Sequence, residues 1–288
     1  MKFVSFALQG KAGLAVEAGD GFRGRMAGDD GYPGDLESLI AKGDAALKAA
    51  GGVLAKADRV DMERVQYLPP LRHSGKLICV GLNYHDHSKE SGFETPSYPA
   101  IFGRFNSSLI GHGQPIVRPQ VSVQLDYEGE LAAVIGVGGR NISEDEALDH
   151  VAGYSIFNDG SIRDYQFKSP QWTMGKNFDD TGPFGPCFVT ADALPPGCKG
   201  LQLETRLNGR TVQSANIDDM VFSVARLVSI LSEALTLAPG DVIVTGTPSG
   251  VGLARKPQLF MKDGDVCEVE IEGLGILRNP IVDGSKAA

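Results

Sequence analysis

Residues 121–137 carry the clearest alternation of hydrophobic and polar positions in the chain. Successive side chains of a strand point to opposite faces, so this period of two predicts a strand. Its polar face carries three acidic side chains: Asp126, Glu128 and Glu130. The apolar sequence LAAVIG follows directly, which is typical of an interior strand. The pattern therefore predicts carboxylates that share one face of a buried strand.

Other segments carry distinct signals of their own. Residues 35–50 have the spacing of an amphipathic helix with Asp35 as its N-cap. Asn208-Gly209 lies between two alternating runs and predicts a β-hairpin. Residues 220–237 have apolar positions at helical spacing, and Pro239-Gly240 ends that pattern. Strands outnumber helices, so the sequence predicts an α+β fold with mixed, mainly antiparallel pairing.

The length of the chain and one proline pair predict its division into domains. The 288 residues, 42% of them hydrophobic, suit one large domain with a smaller appendage. Leu68-Pro69-Pro70 interrupts the pattern of elements, because proline breaks helices and lacks a backbone donor. We therefore predict a small N-terminal α/β domain over residues 1–70 and a main domain over residues 71–288.

Charge and cysteine content exclude several classes of protein. The net charge is −9 and the pI about 5.1, and the sequence has no basic stripe of the kind that binds nucleic acid. No apolar run has the length of a membrane span, the N-terminus lacks the apolar core of a signal peptide, and the four cysteines lack metal-finger spacing. We therefore expect a cytoplasmic protein with no nucleic-acid or membrane partner.

The acidic residues of the strand predicted over residues 121–137 indicate a metal site. Glu128 and Glu130 lie two residues apart, so their carboxylates are close and repel each other. A hard cation such as Mg²⁺ or Mn²⁺ relieves that repulsion by binding oxygens from both, whereas a solvated strand face is the alternative. Asp159 follows another predicted strand, where it can supply a third ligand or form an ordinary Asx turn.

A histidine and a glutamate indicate acid–base chemistry. His87 and Glu90 lie three residues apart and share a face if the segment HDHSKE is helical. A carboxylate beside an imidazole fixes its tautomer and raises its basicity, which makes a general base for water. A polar surface helix is the alternative interpretation of this segment.

Four further polar residues are candidates for binding an anionic substrate. Arg163 and Gln166 also lie three residues apart, where they can hold a carboxylate. Lys176 lies near Trp172 among tight turns, which favours an enclosed ammonium group. Thr247 lies in the loop TGTPSG, which lacks the lysine of a P-loop and can offer hydroxyl and backbone N–H groups to an anion.

Six segments, in this order, resemble the fumarylacetoacetate hydrolase family: CVGLNYHDHSKE, PAIFGRFNSSLIG, DYEGELAAVIG, FNDGSIRDYQ, GKNFDDTGPFGP and PGDVIVTGTPSGVG. The resemblance extends from about Leu77 to Val282. It implies the family's rolled β-sheet, a homodimer, and a catalytic domain over residues 71–288. It also implies Mg²⁺ or Mn²⁺ at three ligands: Glu128, Glu130 and Asp159.

The resemblance also implies roles for individual side chains. It assigns water activation to His87 with Glu90, and charge stabilisation to Lys176. Three residues correspond to substrate contacts of the family: Arg163, Gln166 and Thr247. The chain departs from the family at Gly160-Ser161, where valine or threonine is frequent, and at Arg104, where lysine is common. Because arginine binds carboxylates in bidentate fashion, Arg104 indicates a substrate with a second carboxylate.

The reaction that the resemblance implies is hydrolysis of a 2,4-dioxo acid, or acylpyruvate. His87, held by Glu90, would deprotonate a water that attacks the 4-carbonyl, and Lys176 would stabilise the oxyanion. The C3–C4 bond would break, giving pyruvate and a small acid. Maleylpyruvate or fumarylpyruvate, from gentisate-type cleavage of aromatic rings, fits a second carboxylate. Decarboxylation of an oxaloacetate-like acid and isomerisation of a 2-hydroxyhepta-2,4-diene-1,7-dioate-like acid use the same site and stay open as alternatives.

Overall fold

The computed structural model describes residues 1–19, 21–86 and 96–284. The strands in this part of the chain are β1 Lys2–Leu8, β2 Lys11–Ala18, β3 Gly21–Met26, β4 Arg59–Val60, β5 Gln66–Tyr67, β6 Leu77–Gly81, β7 Ala100–Gly103, β8 Leu109–Ile110, β9 Ile116–Arg118, β10 Leu125–Asp126, β11 Gly129–Ile135, β12 Val151–Asn158, β13 Ser161–Ile162, β14 Gly182–Thr190, β15 Gln202–Leu207, β16 Arg210–Asn216, β17 Val242–Val244, β18 Val266–Ile271 and β19 Gly275–Asp283. The α-helices are α1 Leu36–Ala41, α2 Asp44–Leu54, α3 Arg163–Gln166, α4 Thr173–Lys176 and α5 Val224–Ala234. Short 3-10 turns cover Asn106–Ser108, Ala147–His150, Ala191–Ala193, Pro196–Cys198, Ile217–Asp219 and Gly252–Ala254.

Most of the strands form one large mixed sheet. Its order is β4-β3-β2-β1-β14-β12-β11-β17-β6-β7, with β5 added to β1 and β8 to β14. Its pairs are antiparallel except β17 with β6 and β14 with β8. A five-stranded sheet has the order β16-β15-β18-β19-β9, and β10 pairs with β13. The predicted α+β fold with a mixed, mainly antiparallel sheet is confirmed.

Strands β11 and β12 are buried on both faces at the middle of the large sheet. On one face, Leu131 and Ile156 pack in a core with Val269 of the five-stranded sheet. On the other, Ala132 packs in a core with Leu47 of α2. Fully burying a leucine or isoleucine side chain stabilises a fold by about 1.5–3 kcal/mol. The two layers therefore fix the ends of β11 and β12, at or beside which Glu128, Glu130 and Asp159 lie.

The N-terminal residues extend the large sheet. Strand β1 pairs with β14 in antiparallel register, with Phe3 opposite Phe188, and helices α1 and α2 cover the adjoining face. The division of the chain at residue 70 stays a prediction. Among the described residues, no helix is both long and apolar enough to cross a membrane.

Two predicted elements, the helix over residues 35–50 and the strand over residues 121–137, are each divided in the structure. The helix expected over residues 35–50 is split into α1 and α2, because Gly43 adopts a positive φ of 87° between them. Asp35 does cap α1, since its carboxylate accepts a hydrogen bond from the backbone N–H of Ser38. The acidic strand is also interrupted: β10 ends at Asp126 and β11 begins at Gly129.

Candidate metal centre and active site

Three acidic residues, named here the carboxylate triad, converge beside the buried sheet: Glu128, Glu130 and Asp159. Each contributes one carboxylate oxygen to a group whose members lie within 4.8 Å of one another, and none of the three residues is more than 5% exposed. The pairing of β11 with β12 places Gly129 opposite Asn158. The residue that follows β12 therefore lies beside the residues that begin β11, and the backbone N–H of Asp159 donates to the carbonyl of Glu128 at 2.9 Å.

Asn158 and Gly160 hold the turn that carries Asp159. The side-chain oxygen of Asn158 accepts a hydrogen bond from the backbone N–H of Glu128 at 3.0 Å. A Cβ atom at position 160 would lie 2.1 Å from the carbonyl oxygen of Thr181. Only glycine fits there without movement of the backbone. The departure from the valine or threonine of the family at this position thus has a steric cause in this chain.

Three buried cations lie against the carboxylate triad. Lys176 Nζ lies 2.6 Å from Glu128 Oε2 and 2.7 Å from Asp159 Oδ2. Arg163 Nη2 lies 2.6 Å from Glu128 Oε1. Arg104 pairs with Asp159 through Nη1. Burying a carboxylate raises the free energy of the folded state unless the group is paired and hydrogen-bonded. These cations therefore offset the cost of burying the triad in the metal-free protein.

The charges of the site fit a divalent cation. Burial raises the pKa of Glu130 well above its usual range, and the like charges of Asp159 and Glu128 raise it further. Burial alone would lower the pKa of Lys176, but Asp159 and Glu128 outweigh it and raise that pKa, so the group stays cationic at neutral pH. With Asp126, and counting only residues that the structure describes, four buried carboxylates face three buried cations. Hard oxygen donors with excess negative charge suit Mg²⁺ or Mn²⁺.

Metal binding should therefore release protons. Because the pKa of Glu130 is raised in the metal-free protein, lowering the pH protonates this carboxylate, and the proton must leave before a cation binds. We expect the Kd for Mn²⁺ to weaken by about tenfold per pH unit below that pKa. Calorimetry in two buffers of different ionisation enthalpy measures the protons released. A Kd that is constant from neutral to weakly acid pH, without proton release, would contradict this expectation.

A cavity of about 790 Å³ opens beside the triad. Six of the sequence-predicted site residues line it: Glu128, Glu130, Arg163, Gln166, Lys176 and Thr247. Part of the wall is apolar, where Phe102 and Trp172 meet edge to face with ring centroids 5.6 Å apart. Phe167 and Lys168 also line the cavity but are exposed, so they mark its mouth. The polar residues that are buried lie at its inner end.

The side chains at the inner end are held by neighbouring groups. The Thr247 hydroxyl donates to the carbonyl of Gly129 at 3.0 Å and accepts from Gln213 Nε2 at 2.8 Å. The backbone N–H of Gly246 donates to Glu130 Oε2 at 2.5 Å. The sequence predicts that this loop offers N–H groups to an anion. In the structure, the Gly246 N–H binds the carboxylate of Glu130.

Arg104 lies behind Asp159 and not at the cavity. Besides its ion pair with Asp159, the guanidinium donates to Gly160 O at 3.1 Å, Thr181 Oγ1 at 2.8 Å and Ser108 Oγ at 3.2 Å. The residue is 4% exposed and is not among the described residues that line the cavity. This position corrects the expectation that Arg104 holds a second substrate carboxylate, because protein groups already surround its donors. It positions Asp159 instead.

Asp126 is a site residue to which the sequence analysis assigned no role. It is fully buried and accepts a hydrogen bond from Arg163 Nε at 2.8 Å. It also accepts from the backbone N–H groups of Gly252 at 2.7 Å and Leu253 at 2.9 Å. Leu253 lines the cavity. Asp126 therefore fixes both the guanidinium of Arg163 and one wall of the cavity. The sequence did indicate Asp126, because it alternates with Glu128 and Glu130 on the polar face of the predicted strand.

His87 and Glu90 lie outside the described residues, so their assigned role stays a prediction. The strand that precedes them, β6, ends at Gly81, and Gly81 and Leu82 both line the cavity.

Comparison with known proteins identifies the family to which this fold belongs. A model of the family described as "Fumarylacetoacetate (FAA) hydrolase C-terminal" matches residues 76–282. The chain belongs to the fumarylacetoacetate hydrolase family. The mitochondrial oxaloacetate tautomerase fahd2 of Xenopus laevis is 40% identical over 275 residues, which cover 94% of this chain and 86% of that protein.

Two solved structures of related proteins have the same fold over nearly their whole length. The fumarylacetoacetate hydrolase from psychrophilic Exiguobacterium antarcticum has a TM-score of 0.86 and 38% identity, and the match covers 98% of this chain and 99% of that one. The 2-hydroxyhepta-2,4-diene-1,7-dioate isomerase from Mycobacterium marinum has a TM-score of 0.78 and 32% identity, covering 99% and 100%. The chain is thus an enzyme of the fumarylacetoacetate hydrolase family, whose named relatives include a tautomerase, a hydrolase and an isomerase.

Proposed function

We propose that this enzyme interconverts the enol and keto forms of a small 2-oxo dicarboxylic acid, with oxaloacetate as the first candidate. The observation that carries the proposal is the buried carboxylate triad, with Lys176 against it and an open cavity beside it. The name of the Xenopus relative, an oxaloacetate tautomerase, supports this choice of reaction. Tautomerisation moves one proton between the 2-oxygen and C3 and breaks no carbon–carbon bond.

The triad and its cation neighbours suit the 2-oxo acid end of such a substrate. Mg²⁺ or Mn²⁺ held by the triad would supply Lewis acidity towards the 2-oxo group. Lys176 is cationic and fully enclosed, so it stabilises negative charge that develops on the 2-oxygen when a C3 proton leaves. Gln166 accepts from Arg163 through its side-chain oxygen, so its amide N–H groups would orient the first carboxylate by hydrogen bonds. Thr247 lines the same end of the cavity, where its hydroxyl proton is donated to the carbonyl of Gly129.

We propose that His87, with Glu90, moves the C3 proton. An imidazole has a pKa near neutrality and can both accept and return a proton. The exposed His85 lies two residues away and is a matched control for changes in this segment. We expect His87→Ala to lower the rate of enol–keto exchange by about 100-fold, and His85→Ala to leave it within about twofold. Stopped-flow measurement of the enol absorbance gives both rates; equal rates in the two variants would refute the assignment of the base.

Hydrolysis of an acylpyruvate is the second candidate. It is favoured by the His87–Glu90 spacing, which suits activation of water, and by the name of the Exiguobacterium relative. In that reaction hydroxide adds to C4, the C3–C4 bond breaks, and C3 takes up a proton, which gives pyruvate and an acid. Isomerisation, named for the Mycobacterium marinum relative, would also move a proton between the 2-oxygen and a carbon of the chain without breaking a carbon–carbon bond, and decarboxylation of oxaloacetate would release CO₂.

A substrate panel with Mg²⁺ or Mn²⁺ separates these reactions. We expect fast decay of enol-oxaloacetate to the keto form, with neither pyruvate nor CO₂ released above the rate of metal alone. Maleylpyruvate and fumarylpyruvate are tested in parallel for release of pyruvate. A higher kcat/KM for either acylpyruvate than for enol-oxaloacetate would replace the tautomerase by the hydrolase, and enzyme-dependent CO₂ release would replace it by the decarboxylase.

The location and assembly of the enzyme also stay proposals. The sequence predicts a cytoplasmic protein, whereas the Xenopus relative is named as mitochondrial. We propose a homodimer that binds only small molecules at this site; light scattering of the purified enzyme measures its mass directly.

A further inference from the structure

We propose that Lys168 binds the second, distal carboxylate of the substrate. This inference rests on the proposed function, because a distal carboxylate exists only if the substrate is a dicarboxylic acid. Lys168 would then be the residue that distinguishes such an acid from a monocarboxylic 2-oxo acid.

The charged side chains that line the cavity differ in their partners. Three cations of the described chain line it: Arg163, Lys168 and Lys176. Arg163 is engaged by Asp126 and Glu128. Lys176 is engaged by two members of the carboxylate triad. Among the described residues that line the cavity, Lys168 is thus the cation that carries no ion pair to a protein carboxylate.

The position of Lys168 separates it from the metal site. Helix α3 directs Arg163 and Gln166, both buried, to the inner end of the cavity. Lys168 follows two residues after Gln166 and is exposed at the mouth. A substrate whose 2-oxo acid end lies at the triad and whose chain extends outwards would therefore bring a distal carboxylate to the mouth, where Lys168 lies.

An aromatic side chain holds that ammonium in place. Lys168 Nζ lies 3.3 Å from the ring centroid of Tyr165, and the Tyr165 ring packs edge-on against Phe178 with centroids 5.0 Å apart. A cation over an aromatic face is attracted by the ring but keeps N–H donors for another partner. This contact reduces the rotamer freedom that a flexible lysine would lose on binding a carboxylate.

Arg104 cannot take the role that we propose for Lys168. The sequence analysis assigned the second carboxylate to Arg104, whose donors are used by Asp159 and its neighbours. Arg104 is therefore not available at the cavity, and of the described residues that line it, Lys168 is the cation left to neutralise a second negative charge.

The test compares ligands that differ only in the distal charge. Calorimetry of the Mn²⁺-loaded enzyme measures the Kd for 3,3-difluorooxaloacetate, which cannot enolise, and for its 4-methyl ester, which lacks the distal charge. We expect Lys168→Met to weaken binding of the diacid by about tenfold and to leave the Kd of the ester within about twofold. Lys168→Arg should retain most of the preference for the diacid. Lys11→Met, which removes an exposed lysine far along the chain, is the control for net charge.

The binding and exchange measurements test the role of Lys168 and the proposed reaction separately. Equal weakening of diacid and ester by Lys168→Met, or no weakening of either, would overturn the role of Lys168. A wild-type enzyme that prefers the diacid over the ester through Lys168, but does not accelerate enol–keto exchange, would leave the distal site standing and refute the proposed reaction.

Discussion

Replacing Glu130 with glutamine is expected to abolish metal binding and to lower kcat/KM by at least about 1000-fold, equivalent to about 4 kcal/mol of transition-state stabilisation. Glutamine offers a neutral amide where the triad offers a third negative charge. Lys176, Arg163 and Arg104 would then be balanced by the three remaining carboxylates, Asp126 included, so no excess negative charge would be left to attract a metal ion. Mn²⁺ titration and enol–keto exchange rates measure the two effects.

The same substitution should leave the metal-free fold intact. The glutamine oxygen can still accept the hydrogen bond from the Gly246 N–H. The substitution also removes a charge whose ionised form is disfavoured by burial and by Asp159 and Glu128. We therefore expect the Tm of the metal-free variant to equal or exceed that of the wild type, and Mn²⁺ to no longer raise it.

Glu233→Gln is the matched control, because Glu233 is exposed on α5 and lies away from the cavity. It should change neither the metal-dependent rise in Tm nor the exchange rate. A Glu130→Gln variant that keeps a tight Mn²⁺ site and near wild-type activity would refute the metal assignment. A variant that unfolds without metal would instead show that the Glu130 carboxylate is needed for the fold.

The triad could be predicted from sequence because its spacing follows from the geometry of a strand. Residues two apart point to one face, which brings Glu128 and Glu130 together even though the strand is interrupted between β10 and β11. The Asn208-Gly209 hairpin was predictable for a similar reason. Both residues adopt positive φ, at 53° and 76°, which this dipeptide tolerates and the β15–β16 turn requires.

The remaining features depend on partners that are distant in the chain. Residues 35–50 have a helical pattern throughout, yet Gly43 takes a positive φ and divides the segment into two helices that cover one sheet face. Arg104 has the chemistry of a substrate ligand, and only the proximity of Asp159 and Thr181 shows that its donors are used inside the protein. Hydrophobic and polar spacing contains no information on such long-range contacts.

The proposed role of Lys168 at the mouth of the cavity could not be predicted from the sequence either. In the sequence it is one exposed lysine after a short helix, with no periodic pattern to distinguish it from other surface lysines. Its proposed role follows from the elimination of Arg163, Lys176 and Arg104, and that elimination requires their ion pairs.

Replacing Asp126 with alanine is expected to destabilise the protein by about 3–5 kcal/mol. The substitution removes the acceptor for Arg163 Nε and for the backbone N–H groups of Gly252 and Leu253, all within 2.9 Å. Arg163 would keep its contact with Glu128 but would lose one of two carboxylates that balance its buried charge. Two freed N–H groups in the loop that lines the cavity add a further cost. Urea unfolding of the metal-free protein measures the loss.

Two comparison variants test whether the effect arises from this network. Asp126→Asn keeps an oxygen acceptor for the loop but removes the charge next to Arg163, so its loss should be intermediate. Asp164→Ala, in α3, removes a partly buried carboxylate that accepts from the Ser122 hydroxyl at 2.6 Å, and should cost only about 1 kcal/mol. If Asp126→Ala cost no more than Asp164→Ala, Asp126 would not be the residue that fixes Arg163 and the cavity wall. A large loss confined to Asp126, with weaker substrate binding in the surviving folded fraction, would identify it as the positioning residue of the site.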